Sequence, residues 1–111
     1  MIVGACLVEL HIHDSQSLKA KRGVVRSIVR RVRNRFNLSV AEVDGQDTWQ
    51  RTVLGLTAAG SDALRVRQVL EKASEFIEEL HLAEVVDVDF QLVDLPQEEP
   101  LGDDDEEEED R

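Results

Sequence analysis

The chain has 111 residues, a formal net charge of -11 and one cysteine, Cys6. This length predicts a single domain with a tail, and one cysteine excludes an internal disulfide and a cysteine-based zinc or iron–sulfur site. No apolar run reaches the roughly 20 residues that a membrane span requires. The N-terminal segment also lacks the basic start of a signal peptide. We therefore expect a cytoplasmic protein with no membrane contact.

The negative charge is concentrated at the C-terminus. Residues 1–93 contain 12 basic and 13 acidic side chains, whereas residues 94–111 contain 11 acidic and one basic. The last segment cannot bury apolar surface and repels itself, which favours disorder. The sequence therefore predicts a nearly neutral folded domain, residues 1–95, followed by a disordered acidic tail, residues 96–111.

The chain begins with a strand over residues 2–12, which are rich in apolar and β-branched types. One face is apolar throughout and should meet helices: Ile2, Gly4, Cys6, Val8, Leu10 and Ile12. The opposite face becomes polar towards its end, which is typical of a partly open sheet surface.

The stretch from Ser17 to Phe36 predicts a helix with an unusual charge. Ser17 is a suitable N-cap, and Val25, Ile28 and Val32 follow the spacing of a buried helical stripe. Between Lys19 and Arg35 there are eight basic residues and no acidic one, out of only 13 Lys and Arg in the whole chain. One helix therefore carries most of the positive charge of an acidic protein.

The rest of the domain predicts two further strands, a helix and a last strand. The second strand covers Leu38–Val43, a turn follows at Asp44–Asp47, the third strand covers Trp49–Thr57, and Ala58-Ala59-Gly60 should break it. Ser61-Asp62 opens the second helix. In the last strand, residues 84–94, alternation places Val86, Val88, Phe90 and Leu92 inward and Val85, Asp87, Asp89, Gln91 and Val93 outward. The order βαββαβ predicts a ferredoxin-like α+β fold, with a four-stranded antiparallel sheet and two helices on one face.

Three motifs carry a family resemblance: the SLKAKR helix start, the run RNRFNLSVAEVD and the turn GQDTWQR. With the opening MIVGACLVELHI, they resemble the YlxP-like family of small bacterial proteins, a domain of unknown function, over about residues 1–94. The resemblance implies a ferredoxin-like fold. Because genes of this family tend to lie among those for translation initiation and ribosome maturation, it also implies an RNA- or ribosome-linked role. It supplies no catalytic residues. Gly23, where the family often has a basic residue, and the acidic tail depart from the family pattern.

The first helix is the main candidate site, for RNA or another polyanion. A helix start offers free backbone N–H groups to an anion, and a band of cations can continue the contact along a phosphate backbone. The candidate residues are Ser17, Lys19, Lys21, Arg22, Arg26, Arg30 and Arg33. The alternative is that Arg30 or Arg33 pairs with Glu71, Glu75 or Glu78 of the second helix.

The open sheet face is the second candidate, as an interface with a second copy or another protein, or as a scaffold for a small ligand. Phe36, Phe76 and Phe90 are assigned to the core, so the face lacks the aromatic residues of an RNA-recognition motif. Half-apolar sheet faces are usually covered by a partner. The interface candidates are Val3, Leu7, Trp49, Arg51, Val53 and Val85.

Two weaker candidates concern metals, and we assign neither a metal nor a cofactor. His11 and His13 share a strand face with Glu9, and Asp87 or Asp89 from a neighbouring strand could complete a metal site. Simple surface histidines are the commoner case. The carboxylates of residues 42–51 around Trp49 could bind Mg²⁺ or act as acids and bases, or could simply shape a tight turn in which Arg51 pairs across strands.

Enzyme classes find little support in the sequence, and we expect no catalytic residues. No phosphate-binding loop, GxSxG or HExxH motif is present. An acylphosphatase of this fold would need an arginine-bearing phosphate cradle where the chain has His13-Asp14-Ser15-Gln16-Ser17. Cys6 should be buried and a poor nucleophile.

For the acidic tail, the sequence leaves two alternatives. One is a solubilising role, and the other is that Asp103–Asp110 mimics a polyanion and folds over the basic helix.

Overall fold

The computed structural model describes residues 1–97 and confirms the βαββαβ order. The six elements are β1 (Ile2–His11), α1 (Leu18–Arg35), β2 (Ser39–Asp44), β3 (Arg51–Gly60), α2 (Ala63–Glu79) and β4 (Glu84–Asp94). The tail predicted at residues 96–111 lies outside the described residues from position 98 onwards. No helix in residues 1–97 is long and apolar enough to cross a membrane.

The four strands form one antiparallel sheet in the order β2-β3-β1-β4. β1 lies in the centre and pairs along its whole length with β3 and β4. The Met1 carbonyl accepts a hydrogen bond from the Leu95 amide at 2.8 Å, and the Met1 ammonium donates one to the Leu95 carbonyl at 2.9 Å. These two bonds fix the N-terminus to the chain that leaves β4.

The core lies between the helices and one face of the sheet. Its buried residues come from β1, β2, β3 and both helices: Cys6, Val8, Leu10, Ile12, Val25, Ile28, Val32, Val40, Leu54, Leu56, Val66, Leu70, Ala73 and Ile77. α2 lies very close to β1 at Gly4, where a Cβ atom would be 2.6 Å from Val66 Cγ1. The helix can approach the strand this closely because Gly4 has no side chain.

Both helices begin at the residues that the sequence predicts. Ser17 Oγ accepts a hydrogen bond from the Ala20 amide at 3.0 Å, and Asp62 Oδ1 accepts one from the Leu64 amide at 2.9 Å. Each cap satisfies a backbone N–H group that has no partner within its helix.

The prediction for β3 is wrong at both ends. The strand begins at Arg51 and continues through Ala58 and Ala59 to Gly60. It continues because each of these residues pairs with β1, ending at Ile2 opposite Gly60. Trp49 lies before the strand, in the connection from β2, and is 53% exposed.

The prediction for β4 fails at its start because of a β-bulge. Glu9 pairs with Asp87, but the next residue of β1, Leu10, pairs with Val85, which leaves Val86 as an extra residue. An extra residue reverses the alternation of the side chains that precede it. Val85 therefore packs against the core rather than facing outward, whereas Val86 is 48% exposed rather than inward.

Candidate functional site

The two serines at the start of α1 both make hydrogen bonds within the fold. The hydroxyl of Ser17 is occupied by its cap on the Ala20 amide. Ser15 is buried and its hydroxyl donates to the Ser17 carbonyl at 3.1 Å. The Ser15 side chain is therefore not available to a ligand, and the strongest candidates for an anion contact are the basic side chains further along the helix.

Lys21, which we expected to contact RNA or another polyanion, is completely buried. Its ammonium donates to Glu42 Oε2 and to the Gly45 carbonyl, both at 2.6 Å, and the Thr52 hydroxyl donates to the same Glu42 oxygen. The Lys21 ammonium is therefore occupied by internal partners, and a polyanion cannot reach it. The spacing of the residues does predict this burial, because Lys21 precedes Val25 and Ile28 of the buried stripe by four and seven residues.

Seven basic residues of α1 are exposed without a carboxylate partner in residues 1–97, and four of them also have no side-chain hydrogen bond or aromatic contact there: Lys19, Arg22, Arg26 and Arg30. Arg33, also exposed, donates to the Val40 carbonyl at 3.0 Å, which orients it without neutralising its charge. We call these five residues the basic face. They are three or four positions apart, so they lie in one line over about 20 Å of helix.

The expected alternative, ion pairing between α1 and α2, is not observed among the described residues. Glu71 pairs instead with Arg67 of its own helix at 3.1 Å. The opposite flank of α1 has local partners, since Arg31 donates to the Ser27 hydroxyl and Arg35 lies 5.0 Å above the ring of Phe76. The charge of the basic face therefore has no structural counterpart in the described part of the chain.

A groove between α1 and β2 runs along the basic face. Arg26, Arg30 and Arg33 line it together with Val25, Val29, Asn34 and Glu42. Glu42 is the one carboxylate among these lining residues, and it is held by Lys21. The buried lysine thus neutralises the single acid that would weaken the positive potential of the groove.

The open sheet face carries some of the predicted interface residues. Leu7 is 47% exposed, and Val43 beside it on β2 is 50% exposed. Val93, which pairs with Val3 at the other end of the face, is 49% exposed. Val3 is half-buried, and Val53 is only 8% exposed. Val85 does not belong to this face, because the bulge turns it to the core.

Arg51 is the centre of an ion network on the same face. Its Nε donates to Glu9 Oε2 at 2.9 Å and its Nη1 to Asp44 Oδ2 at 3.3 Å. The Gly45 amide, 2.8 Å from Asp44 Oδ1, and then Arg51 lower the pKa of Asp44 below its usual 3.8. Two carboxylates of the β2–β3 hairpin are thus held by structural ion pairs, Glu42 by Lys21 and Asp44 by Arg51. Gly45 lies in the turn of this hairpin with a φ of 85°.

Cys6 is 1% exposed, on the core side of β1, as its position in the strand predicts. Burial, and then the nearby charge of Asp89, raise the pKa of its thiol to about 11. A thiol with such a pKa is almost entirely protonated near neutral pH, so Cys6 lacks the thiolate that nucleophilic chemistry needs.

The two histidines meet a carboxylate other than the expected Asp87 or Asp89. His13 Nε2 lies 2.6 Å from Glu84 Oε1, and the rings of His11 and His13 stack with their centroids 4.2 Å apart. The expected third residues were Asp87 or Asp89, but the bulge brings Glu84 opposite His11 instead. Alternation along β4 could not reveal this, because a bulge is invisible to a period-two pattern.

Fold and surface together define a small ferredoxin-like protein with a cationic helix, no nucleophilic cysteine and a half-apolar open sheet. The family model described as "Protein of unknown function (DUF503)" matches residues 3–90, and the chain belongs to this family. It is 40% identical over 77 residues to the "Uncharacterized protein YlxP" of Bacillus subtilis (strain 168). That match covers 69% of this chain and 84% of the relative. The resemblance to YlxP-like proteins is thus confirmed.

Proposed function

We propose that this protein is a non-enzymatic, cytoplasmic module that binds RNA, free or within a ribosomal subunit, through the basic face of α1. The observation that carries the proposal is the contrast in how the basic residues are used. Of the four basic residues outside α1 in residues 1–97, three contact a carboxylate (Arg51, Arg65 and Arg67) and Lys72 does not. The five residues of the basic face contact none within residues 1–97.

The shape of the surface supports an extended anion rather than a small one. The basic residues are spaced along α1 rather than gathered around one point at its start, where Ser15 is buried. A line of cations along about 20 Å of helix suits a phosphate backbone, which presents many charges in a row. Binding of this kind depends strongly on salt and weakly on sequence. The gene neighbourhood implied by the family resemblance favours the same partner.

The test compares two double variants of the full chain that have the same net charge. Arg26→Glu/Arg30→Glu reverses two residues of the basic face. Arg65→Glu/Lys72→Glu reverses two exposed residues of α2. Binding to a labelled structured ribosomal RNA fragment is measured at several salt concentrations, together with co-sedimentation with small and large ribosomal subunits.

We expect the α1 variant to lose at least about tenfold in affinity and to have a shallower dependence on salt, since each lost phosphate contact reduces the slope by about one. The α2 variant should retain most of its binding. Equal binding by the wild type and the α1 variant would refute the proposal.

A second candidate is a homodimeric or protein-interaction scaffold that uses the open sheet face. It is favoured by the exposure of Leu7 and Val43 on adjoining parts of that face. A Leu7→Glu change should then convert a dimer to a monomer in light scattering, with Leu64→Glu, an exposed leucine on α2, as the control. A wild type that is already monomeric at high concentration rules out the dimer.

A further inference from the structure

His11, His13 and Glu84 meet at one end of the sheet, beyond the basic face and unrelated to it. One ligand atom from each residue lies within 4.8 Å of those of the other two. His13 and Glu84 have side chains that are 60% and 55% exposed, so they can rotate to admit an ion. His11 is half-buried and comes from the last position of β1.

The β4 bulge is what brings the three residues together. In a regular ladder, the pairing of Glu9 with Asp87 would place Val85 opposite His11 and leave Glu84 facing the helices. The extra residue shifts the register so that His11 pairs with Glu84, which puts both on the outer face. His13, two residues further, faces the same way. Bulges often serve to re-aim a side chain beside a functional site.

A simple ion pair accounts for only part of this arrangement. The contact between His13 and Glu84 would satisfy those two side chains alone. It does not explain a second imidazole whose ring stacks on that of His13 at an interplanar angle of 13°. Two adjacent imidazoles repel each other when both are protonated, whereas two neutral imidazoles beside a carboxylate are attractive to a divalent cation.

The donor set is chemically selective. Two imidazole nitrogens and one carboxylate oxygen are the ligands of many three-residue zinc sites and also of non-haem iron sites. Hard cations such as Mg²⁺ and Ca²⁺ prefer oxygen donors throughout. Three protein ligands leave at least one coordination position open for water or for a group of a partner.

We propose that His11, His13 and Glu84 bind a divalent transition-metal ion, with Zn²⁺ as the best match. His13 and Glu84 also line a cleft of about 490 Å³ between the start of α1 and the α2–β4 connection, to which His81 contributes. The cleft gives a further ligand room to approach the ion. His81 is outside the three-residue cluster, so it serves as a control that shares the surroundings but not the site.

The experiment uses the full chain stripped of metal with a chelator and titrated with Zn²⁺ by calorimetry. A large excess of Mg²⁺ is present to occupy the carboxylates of residues 98–111. A parallel titration with Co²⁺ reports the ligands through its absorption spectrum. The variants are His13→Ala, Glu84→Gln and the control His81→Ala, each checked for folding by circular dichroism.

We expect one Zn²⁺ per chain for the wild type and for His81→Ala, with at least a tenfold weaker affinity for His13→Ala and for Glu84→Gln. The Co²⁺ absorption should weaken in the same two variants. Absence of Zn²⁺ binding by the wild type, or equal affinity in the wild type and His13→Ala, overturns the proposal. Because α1 is not involved, neither result bears on RNA binding.

Discussion

Lys21 shows most clearly that residue type alone does not decide function. Its sequence context, among seven other basic residues of one helix, indicated a contact for a polyanion. In the structure, it holds a buried cluster with Glu42, Thr52 and the Gly45 carbonyl. The spacing to Val25 placed it on the buried stripe, but its partner, 21 residues away, depends on how β2 packs against α1. The burial of Lys21 was predictable from the sequence, whereas its pairing with Glu42 was not.

We predict that Lys21→Met lowers the free energy of unfolding by roughly 3–5 kcal/mol, because breaking a buried ion pair leaves the other charge without its partner. Lys19→Met, an exposed neighbour, should change it by no more than about 0.5 kcal/mol. Denaturant unfolding of both variants measures the difference. A Lys21→Met protein as stable as Lys19→Met would show that the cluster contributes nothing.

Asp44 gives the fold a defined response to acid. Its pKa is lowered, mainly by the Gly45 amide and then by Arg51, so the folded state favours the ionised carboxylate. This contribution is complete above the ordinary pKa of 3.8 and is lost as the pH falls through the lower pKa of the folded state. The wild type should therefore be more stable than Asp44→Asn at about pH 6, and the two should converge towards about pH 2. Unfolding curves at several pH values measure this, and a constant difference would contradict it.

At the level of the elements, the helices were more predictable than the strands. Both helix caps and the buried stripe of α1 follow from local spacing, and α1 ends within a residue of Phe36. Strand ends and side-chain parity depend on pairing partners that are distant in sequence. β3 extends to Gly60 because β1 offers pairs there, and the β4 bulge reverses the expected directions of Val85 and Val86. For the same reason, the sequence did not identify Glu84 as the residue that joins His11 and His13.

Gly23 is an exposed glycine within α1 at a position where the structure has room for a side chain. A Cβ atom at Gly23 would have no heavy atom within 4 Å, so Gly23→Ala should raise the free energy of unfolding by about 1 kcal/mol. RNA binding should stay the same. Gly4→Ala is the matched contrast, since its Cβ would collide with Val66 and Leu70, and it should destabilise the protein. Thermal unfolding of both variants checks the pair, and a less stable Gly23→Ala protein would contradict it.

At the scale of the whole molecule, the charge of the chain is divided between the domain and its C-terminus. Residues 98–111 contain ten acidic side chains and one basic one. If RNA binds the basic face as we propose, this negative charge should repel RNA and compete with it. The prediction is that a chain ending at residue 97 binds RNA more tightly, with the largest gain at low salt. The affinity of the two chains for one RNA fragment, measured across a salt series, provides the test.

A matched variant separates charge from length. Replacing the acidic residues of 98–111 by Asn and Gln keeps the segment but removes its charge. This variant should bind RNA as the shortened chain does. If the full-length and shortened chains have equal affinity at every salt concentration, the acidic segment takes no part in RNA binding.

The two bulges have a consequence for how copies of the protein behave at high concentration. β2 and β4 are the outer strands of the sheet, and each carries a register shift, at Val43 and at Val86. An outer strand with free backbone groups is a template on which another chain can add a strand, and an irregular, charged or short edge prevents this. β2 has only six residues, and β4 carries Asp87 and Asp89 beside its bulge. We therefore expect the irregularity that assembles the histidine cluster also to hinder the addition of a second copy along the edge of β4.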